Sequence, residues 1–193
     1  MGHAVESLPW QRLPVVLIGP MAVGKTAIGA QLAHQLGREF IDSDHVIEAR
    51  HGKISEIFPS RGEAWFRRTE AAVVAEILAG GRPFVLSLGG GAVLDPGTAQ
   101  LLAGTTVVFL ESDAASVADR LHRAGNRPLL QGADPVECWT QLAHERDGVY
   151  RRLADLIIDV RLGTPDGLAA TIHQALDSLT ADTTTAAGGK ATE

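Results

Sequence analysis

Leu13-Pro14-Val15-Val16-Leu17-Ile18 is a short apolar run without alternation, the pattern of a strand buried on both faces. From Thr26 to Leu36 the pattern changes: apolar residues fall at Ile28, Leu32 and Leu36, which is helical spacing. A short strand is expected at Glu39–Asp42, then helical or irregular pieces through Phe58, then a longer amphipathic helix over about Glu63–Ala79. Phe84–Leu88 reads as a strand that ends in Gly89-Gly90-Gly91, and Thr106–Leu110 and Leu156–Val160 read as two more, with helices between and after. Strands alternating with helices predict an α/β fold, a five-stranded parallel sheet flanked by helices on both faces, with ligands at the carboxyl ends of the strands. Residues 1–12 read as a loose arm, and 180–193 (TADTTTAAGGKATE), small, polar and aperiodic, as a disordered tail. One domain over residues 13–179 remains, and no internal repeat is visible.

Composition narrows the function classes. At 193 residues and 45% hydrophobic content the chain suits a single globular domain with a real core. A net charge of −6 and a pI near 5.6 argue against a nucleic-acid partner, so basic residues matter by position. Cys138 is the lone cysteine, which rules out an internal disulfide and a zinc-type cluster and suits a reducing, cytoplasmic setting. The opening residues MGHAVESLPW lack a signal pattern, Gly2 lacks the Ser or Thr of a myristoylation signal because Glu6 stands there, and no apolar run approaches the ~18 residues of a membrane span. No membrane partner is expected.

The chemistry gathers in a few short stretches. Gly19-Pro20-Met21-Ala22-Val23-Gly24-Lys25-Thr26 fits GxxxxGK[ST], a phosphate-binding loop set between a strand and a helix as the motif requires. In such a loop backbone N–H groups face the phosphates, the lysine adds charge, the Thr hydroxyl serves Mg²⁺, and the following helix presents its N-terminus. Asp42-Ser43-Asp44 lies at the end of the second strand, where one carboxylate can serve a metal shell and the other draw a proton from a hydroxyl; the simpler reading is a helix cap. Glu111 and Asp159, also at strand ends, compete for the metal role. Arg67 and Glu70 are i,i+3 neighbours behind Trp65-Phe66, so a paired guanidinium held against aromatics is pre-oriented for a carboxylate. Gly89, Gly90 and Gly91 let a ligand approach the backbone, or form a plain turn. His122–Pro135, with Gly, Pro and Arg127, reads as a lid that closes over nucleotide.

Taken in order, GPMAVGKT, DSD, FRRTE, LGGGAV, NRPLL and a late arginine before VYRR resemble the shikimate kinase family, of the nucleoside-monophosphate-kinase-like P-loop fold, over about Val15 to Ala175. The resemblance implies a P-loop NTPase fold with a substrate-binding region near 42–70 and a lid near 122–135, and ATP with Mg²⁺ phosphorylating the 3-hydroxyl of shikimate. It implies that Gly19, Met21, Ala22, Val23, Gly24, Lys25, Thr26 and Ala27 hold nucleotide, with Thr26 and Asp42 serving the metal and Asp44 activating the hydroxyl. By the same resemblance Arg67 and Arg146 grip the shikimate carboxylate, Glu70 orients Arg67, and Gly89, Gly90 and Gly91 line the ring. Arg127 contacts the transferring phosphate from the lid, while Arg120 and Pro165 flank the adenine. A monomer acting on a small molecule is expected. Three departures stand out: Ala22 where the family has glycine, Asp147-Gly148-Val149 where it has x-Pro-Leu before tyrosine, and a segment 52–58 that is one residue short. The competing readings are a gluconate-type sugar-acid kinase and a non-catalytic nucleotide-binding module. The guanine-specific NKxD pattern is absent.

Overall fold

The computed structural model describes residues 10–123 and 134–187. Its strands are β1 Val15–Ile18, β2 Phe40–Asp42, β3 Val85–Ser87, β4 Thr106–Glu111 and β5 Leu156–Asp159. They form one sheet of order β2-β3-β1-β4-β5 in which every neighbouring pair is parallel. The helices are α1 Lys25–Leu36, α2 Ser43–His51, α3 Ile54–Arg61, α4 Glu63–Leu78, α5 Pro96–Leu101, α6 Ala114–Arg123, α7 Pro135–Leu153 and α8 Pro165–Ala187. All five expected strands are present, their ends displaced by a residue or two.

β1 shows why an unbroken apolar run was needed. Val15 and Leu17 enter one core with Ile28 and Leu32 of α1 and Ile172 and Leu176 of α8. Val16 and Ile18, pointing the other way, enter a second core with Val74 of α4, Leu86 of β3 and Tyr150 of α7. A third, smaller core of Ile47, Ile57, Phe66 and Val73 binds α2, α3 and α4 to each other. β1 sits centrally, between β3 and β4, and the chain leaves it first toward β2 on one flank and later reaches β4 on the other. The carboxyl end of β1 is thus a point where connections diverge, the place a parallel sheet offers a ligand.

Two expectations about the ends need correction. α8 does not stop near residue 180 but continues to Ala187, because the helix is already nucleated by its packing on α1 and no Gly or Pro intervenes before Gly188. At the other end, Trp10–Arg12 form a 3-10 turn rather than a loose arm. Trp10 is buried, the Arg38 guanidinium stacks 5.0 Å from its ring centroid, and Arg38 donates to the carbonyls of Leu13, Gln11 and Trp10.

Candidate active site

The phosphate-loop motif occupies the β1–α1 connection. Gly19 must lack a side chain, since a Cβ would stand 2.7 Å from Leu110 O of β4, and its φ of 138° suits only glycine. Lys25 folds back: its buried ammonium donates to Gly19 O and Pro20 O, both at 2.7 Å. The next carbonyl, Met21 O, accepts the indole N–H of Trp139 on α7 at 2.7 Å. Ala22 then adopts φ 65°, the only positive φ at a non-glycine position among the described residues. Such a left-handed conformation costs an L-residue about 1–2 kcal/mol, so alanine at this position carries strain that glycine would not.

Asp42 is the helix cap that was the simpler of the readings the sequence offered, and it does a second job besides. Its Oδ1 caps α2 by accepting the N–H groups of Asp44 and His45, at 3.0 and 3.4 Å, and its Oδ2 accepts the Thr26 hydroxyl at 2.7 Å. The cap fixes the carboxylate, and the carboxylate fixes the hydroxyl. Glu111 and Asp159 are otherwise engaged: Glu111 pairs with Arg151, and Arg161 forks onto Asp159, holding its carboxyl down to about 2.

The second half of the site is built on α4, α7 and the glycine run after β3. Glu70 is 2% exposed and accepts from Arg67 Nη1 at 2.6 Å, while Arg67 lies 5.3 Å from the Phe66 ring centroid. Glu70 Oε1 is buried with no hydrogen-bond donor among the described residues. Burial pushes the Glu70 carboxyl above its ordinary range; Arg67 opposes the rise and neighbouring Asp44 adds to it. A Cβ on Gly89 would collide with Glu70 Oε1 and lie 2.8 Å from Asp44 Oδ1, and one on Gly91 would lie 2.5 Å from Arg67 Nη1. Gly89 and Gly91 therefore lack side chains because the site's own side chains already take the space. Tyr150, 1% exposed and stacked on Phe109, donates its hydroxyl to Gly90 O at 2.5 Å; burial pushes its pKa up to about 12. Arg146, one turn earlier on α7, is buried beside that hydroxyl.

These groups line one cleft of about 710 Å³. Met21, Ala22, Gly24, Lys25, Thr26 and Ala27 form one wall, with Arg120 beside Gly24, and Asp44, Arg67, Glu70, Gly89–Gly91 and Arg146 form the other, with Asp42 between. Not every expected residue joins them. Val23 is buried in the core behind the loop, Gly19 supports Gly90 from below, and Pro165 opens α8 outside the lining. Arg127 and most of the expected lid lie outside the described residues. α7 runs unbroken through Gly148, so Asp147-Gly148-Val149 leaves the helix intact. In the 52–58 segment, Glu48 of α2 accepts the Ile54 N–H at 3.0 Å, capping α3 where Lys53 makes no side-chain cap.

Sequence reasoning missed Ser43, whose hydroxyl accepts the Gly89 N–H at 3.1 Å, and Trp139 and Tyr150, which brace the two walls. Ser43 was visible inside DSD and Tyr150 inside VYRR; Trp139 carried no local signal, because its partner lies 118 positions away.

With this geometry in place, comparison with known proteins is specific. The shikimate kinase family model matches residues 21–177. A shikimate kinase of Thiobacillus denitrificans is 41% identical over 172 residues, covering 87% of this chain and 92% of its own. That of Halorhodospira halophila is 44% identical over 164 residues, covering 84% and 92%. A structure of the Acinetobacter baumannii shikimate kinase in complex with shikimate superposes with a TM-score of 0.83 at 38% identity, over 88% of this chain and 96% of that one. A gluconokinase from Sinorhizobium meliloti, at 17% identity and a TM-score of 0.59, shares the fold alone. By sequence match, fold and cleft together, this chain belongs to the shikimate kinase family.

Proposed function

We infer that the chain transfers the terminal phosphoryl group of ATP to the 3-hydroxyl of shikimate, giving shikimate 3-phosphate and ADP in aromatic amino-acid biosynthesis. One observation carries the reading: two arginines, Arg67 and Arg146, converge with Asp44 and Glu70 across three glycines, directly opposite a phosphate loop. A rigid ring bearing a carboxylate and hydroxyls matches that wall, its carboxylate on the guanidinium groups and a hydroxyl donating to the orphaned Glu70 Oε1. Asp44 accepts the proton of the attacking hydroxyl as its oxygen bonds to the terminal phosphorus and the bond to the ADP oxygen breaks. Lys25 and, from the lid, Arg127 balance the charge that spreads over the phosphoryl oxygens. Arg120 and Pro165 flank the adenine.

Thr26 Oγ1 and Asp42 Oδ2 are hard oxygen donors on the cleft wall, and no group of three or more His, Cys, Asp or Glu side chains converges among the described residues. That sparse donor set fits Mg²⁺, which keeps several waters and takes substrate phosphates as ligands. Thr26 would hold it directly and Asp42 through water; bound there, it neutralises phosphate charge. The same reading has the chain work as a cytoplasmic monomer on small molecules, and no helix among the described residues is long and apolar enough to cross a membrane.

The test is ADP release with shikimate, its methyl ester, quinate, gluconate and nucleoside monophosphates. Shikimate should be fastest, and the ester, which keeps the hydroxyls and loses the charge, should be poor. Asp44→Asn should lower kcat by about 10²- to 10⁴-fold with ATP binding near normal. Equal use of acid and ester, or faster phosphorylation of gluconate, would sink the acceptor assignment; the pattern transferring to Asp42→Asn would exchange the two aspartates' roles.

A further inference from the structure

We propose that Trp139 is a positioning residue for the nucleotide phosphates: its indole N–H, acting through Met21 O, holds the Met21–Ala22 turn in the left-handed conformation that lines the cleft. Trp139 is 3% exposed and is absent from the cleft lining, so it reaches the loop from behind, within the core that also takes Val23 and packs Met21 and Ala22.

Three consecutive carbonyls at the start of the loop each have a side-chain donor. Gly19 O and Pro20 O take theirs from Lys25; Met21 O takes its own from Trp139. The donors are not equivalent. Lys25 lines the cleft, and in a phosphate loop the lysine also serves the phosphates, so its ammonium is shared between them and the carbonyls. Trp139 is absent from the cleft lining, so its donor serves Met21 O alone and has no phosphate to turn to. That bond falls one residue before Ala22, whose φ of 65° costs an alanine about 1–2 kcal/mol relative to a right-handed turn. Without an anchor at Met21 O, Ala22 relaxes to negative φ, and the loop loses the path that carries its amides past the phosphates. Alanine at position 22 makes the loop depend on the indole, and glycine there would release that dependence, because glycine enters the left-handed region without penalty.

Position along α7 supports this role. Its buried residues are Trp139, Arg146 and Tyr150, spaced i, i+7, i+11 and so on one face. Trp139 holds the phosphate loop, Tyr150 holds Gly90 of the acceptor wall, and Arg146 stands between them. Gly90 in turn sits against the loop: a Cβ there would be 3.3 Å from Met21 N and 3.4 Å from Gly19 O. One helix therefore sets both walls.

The inference rests on ATP occupying the phosphate loop, so its test reads nucleotide affinity without any acceptor; a wrong acceptor would appear only in turnover. In the full chain with Mg²⁺ present, Trp139→Phe keeps the aromatic bulk and removes the donor. Calorimetric ATP affinity should fall roughly five- to tenfold, the effect of one lost hydrogen bond to a buried carbonyl, with the shikimate KM changed less than twofold. Adding Ala22→Gly should restore ATP affinity to within about twofold of the Ala22→Gly single variant. A purely structural tryptophan would weaken both substrates together and would not be rescued at position 22. Unchanged ATP affinity in Trp139→Phe, or independent effects in the double variant, would overturn the proposal. Should Trp139→Phe fail to fold, the unmutated chain decides by NMR: the Trp139 indole N–H should exchange slowly with solvent, at the same rate with and without ATP, and a rate that changes with nucleotide would overturn the proposal.

Discussion

Gly91 is a residue whose missing atom is functional. Its φ is −102°, which any L-residue adopts, so alanine there strains no backbone; the added methyl meets the Arg67 guanidinium at 2.5 Å, the far end of a side chain that can swing. Gly91→Ala should therefore fold with little change in Tm while raising the shikimate KM at least tenfold through a displaced Arg67, and an unchanged KM would remove Arg67 from acceptor binding. Glu70 makes a complementary point about charge. Burial raises its folded pKa above the ordinary 4.5 in spite of Arg67, so the native state holds that proton more tightly than the unfolded chain does. Its contribution to stability is fully present below about pH 4.5 and is lost as pH climbs through the raised folded value. Glu70→Gln removes the ionisation and keeps an acceptor for Arg67. It should melt above the unmutated protein by a margin that grows from pH 4.5 upward, with a raised shikimate KM because Arg67 loses its ionic partner; a margin that shrinks with pH would refute the assignment. The spacing of Arg67 and Glu70 was legible in the sequence, as was the glycine run. The reason for the run was not, because Gly89 is constrained by Asp44 and Glu70, and those contacts exist only after β2, β3 and α4 have assembled.

At the scale of the element, α7 shows how a local irregularity can be absorbed. Asp147-Gly148-Val149 reads in the sequence as a loosened backbone, yet the helix runs unbroken from Pro135 to Leu153, since Asp134 caps its start, Trp139 and Tyr150 nail one face to the cores, and Asp147 pairs with Arg151 across the glycine. Gly148 retains the usual entropic cost of a helical glycine, and nothing lies within 4 Å of where its Cβ would be. Gly148→Ala should add about 0.5–1 kcal/mol of stability and leave both KM values unchanged; a thermal denaturation series checks the first and steady-state kinetics the second. A drop in Tm would mean that α7 bends at this point. α2 and α3 teach the opposite lesson. Asp42 as a cap was readable from its type and place, whereas Glu48 capping the N-terminus of the next helix was not, because the donor and the acceptor belong to different helices and meet only when α2 and α3 have packed. Patterns within one element survive folding, and exchanges between elements have to be seen.

The whole molecule divides its labour along the strand direction. Because all five strands are parallel, their carboxyl ends share one side, where the cleft lies, and their amino ends share the other. Trp10 belongs to the second side: it precedes β1, lies under Arg38, and meets His173 of α8 edge-on at 5.9 Å. Trp10→Ala should cost about 3 kcal/mol or more, as deletion of a buried indole does, while kcat and both KM values at 25 °C stay within twofold of normal; altered kinetics would deny the separation. The parallel sheet itself could be foreseen from unbroken apolar strands alternating with helices, but the fastening of residues 10–12 could not, since Trp10 stands alone in a stretch with no period and finds its partners on α1, Arg38 and α8. That contact ties the start of the described chain to the middle of α8. α8 leaves β5 on the cleft side and runs back toward the amino ends, so its later turns travel away from the site, past the ring of Trp10. A label attached to α8 beside His173 would therefore sit on the side of the sheet opposite the cleft and leave the open side to solvent.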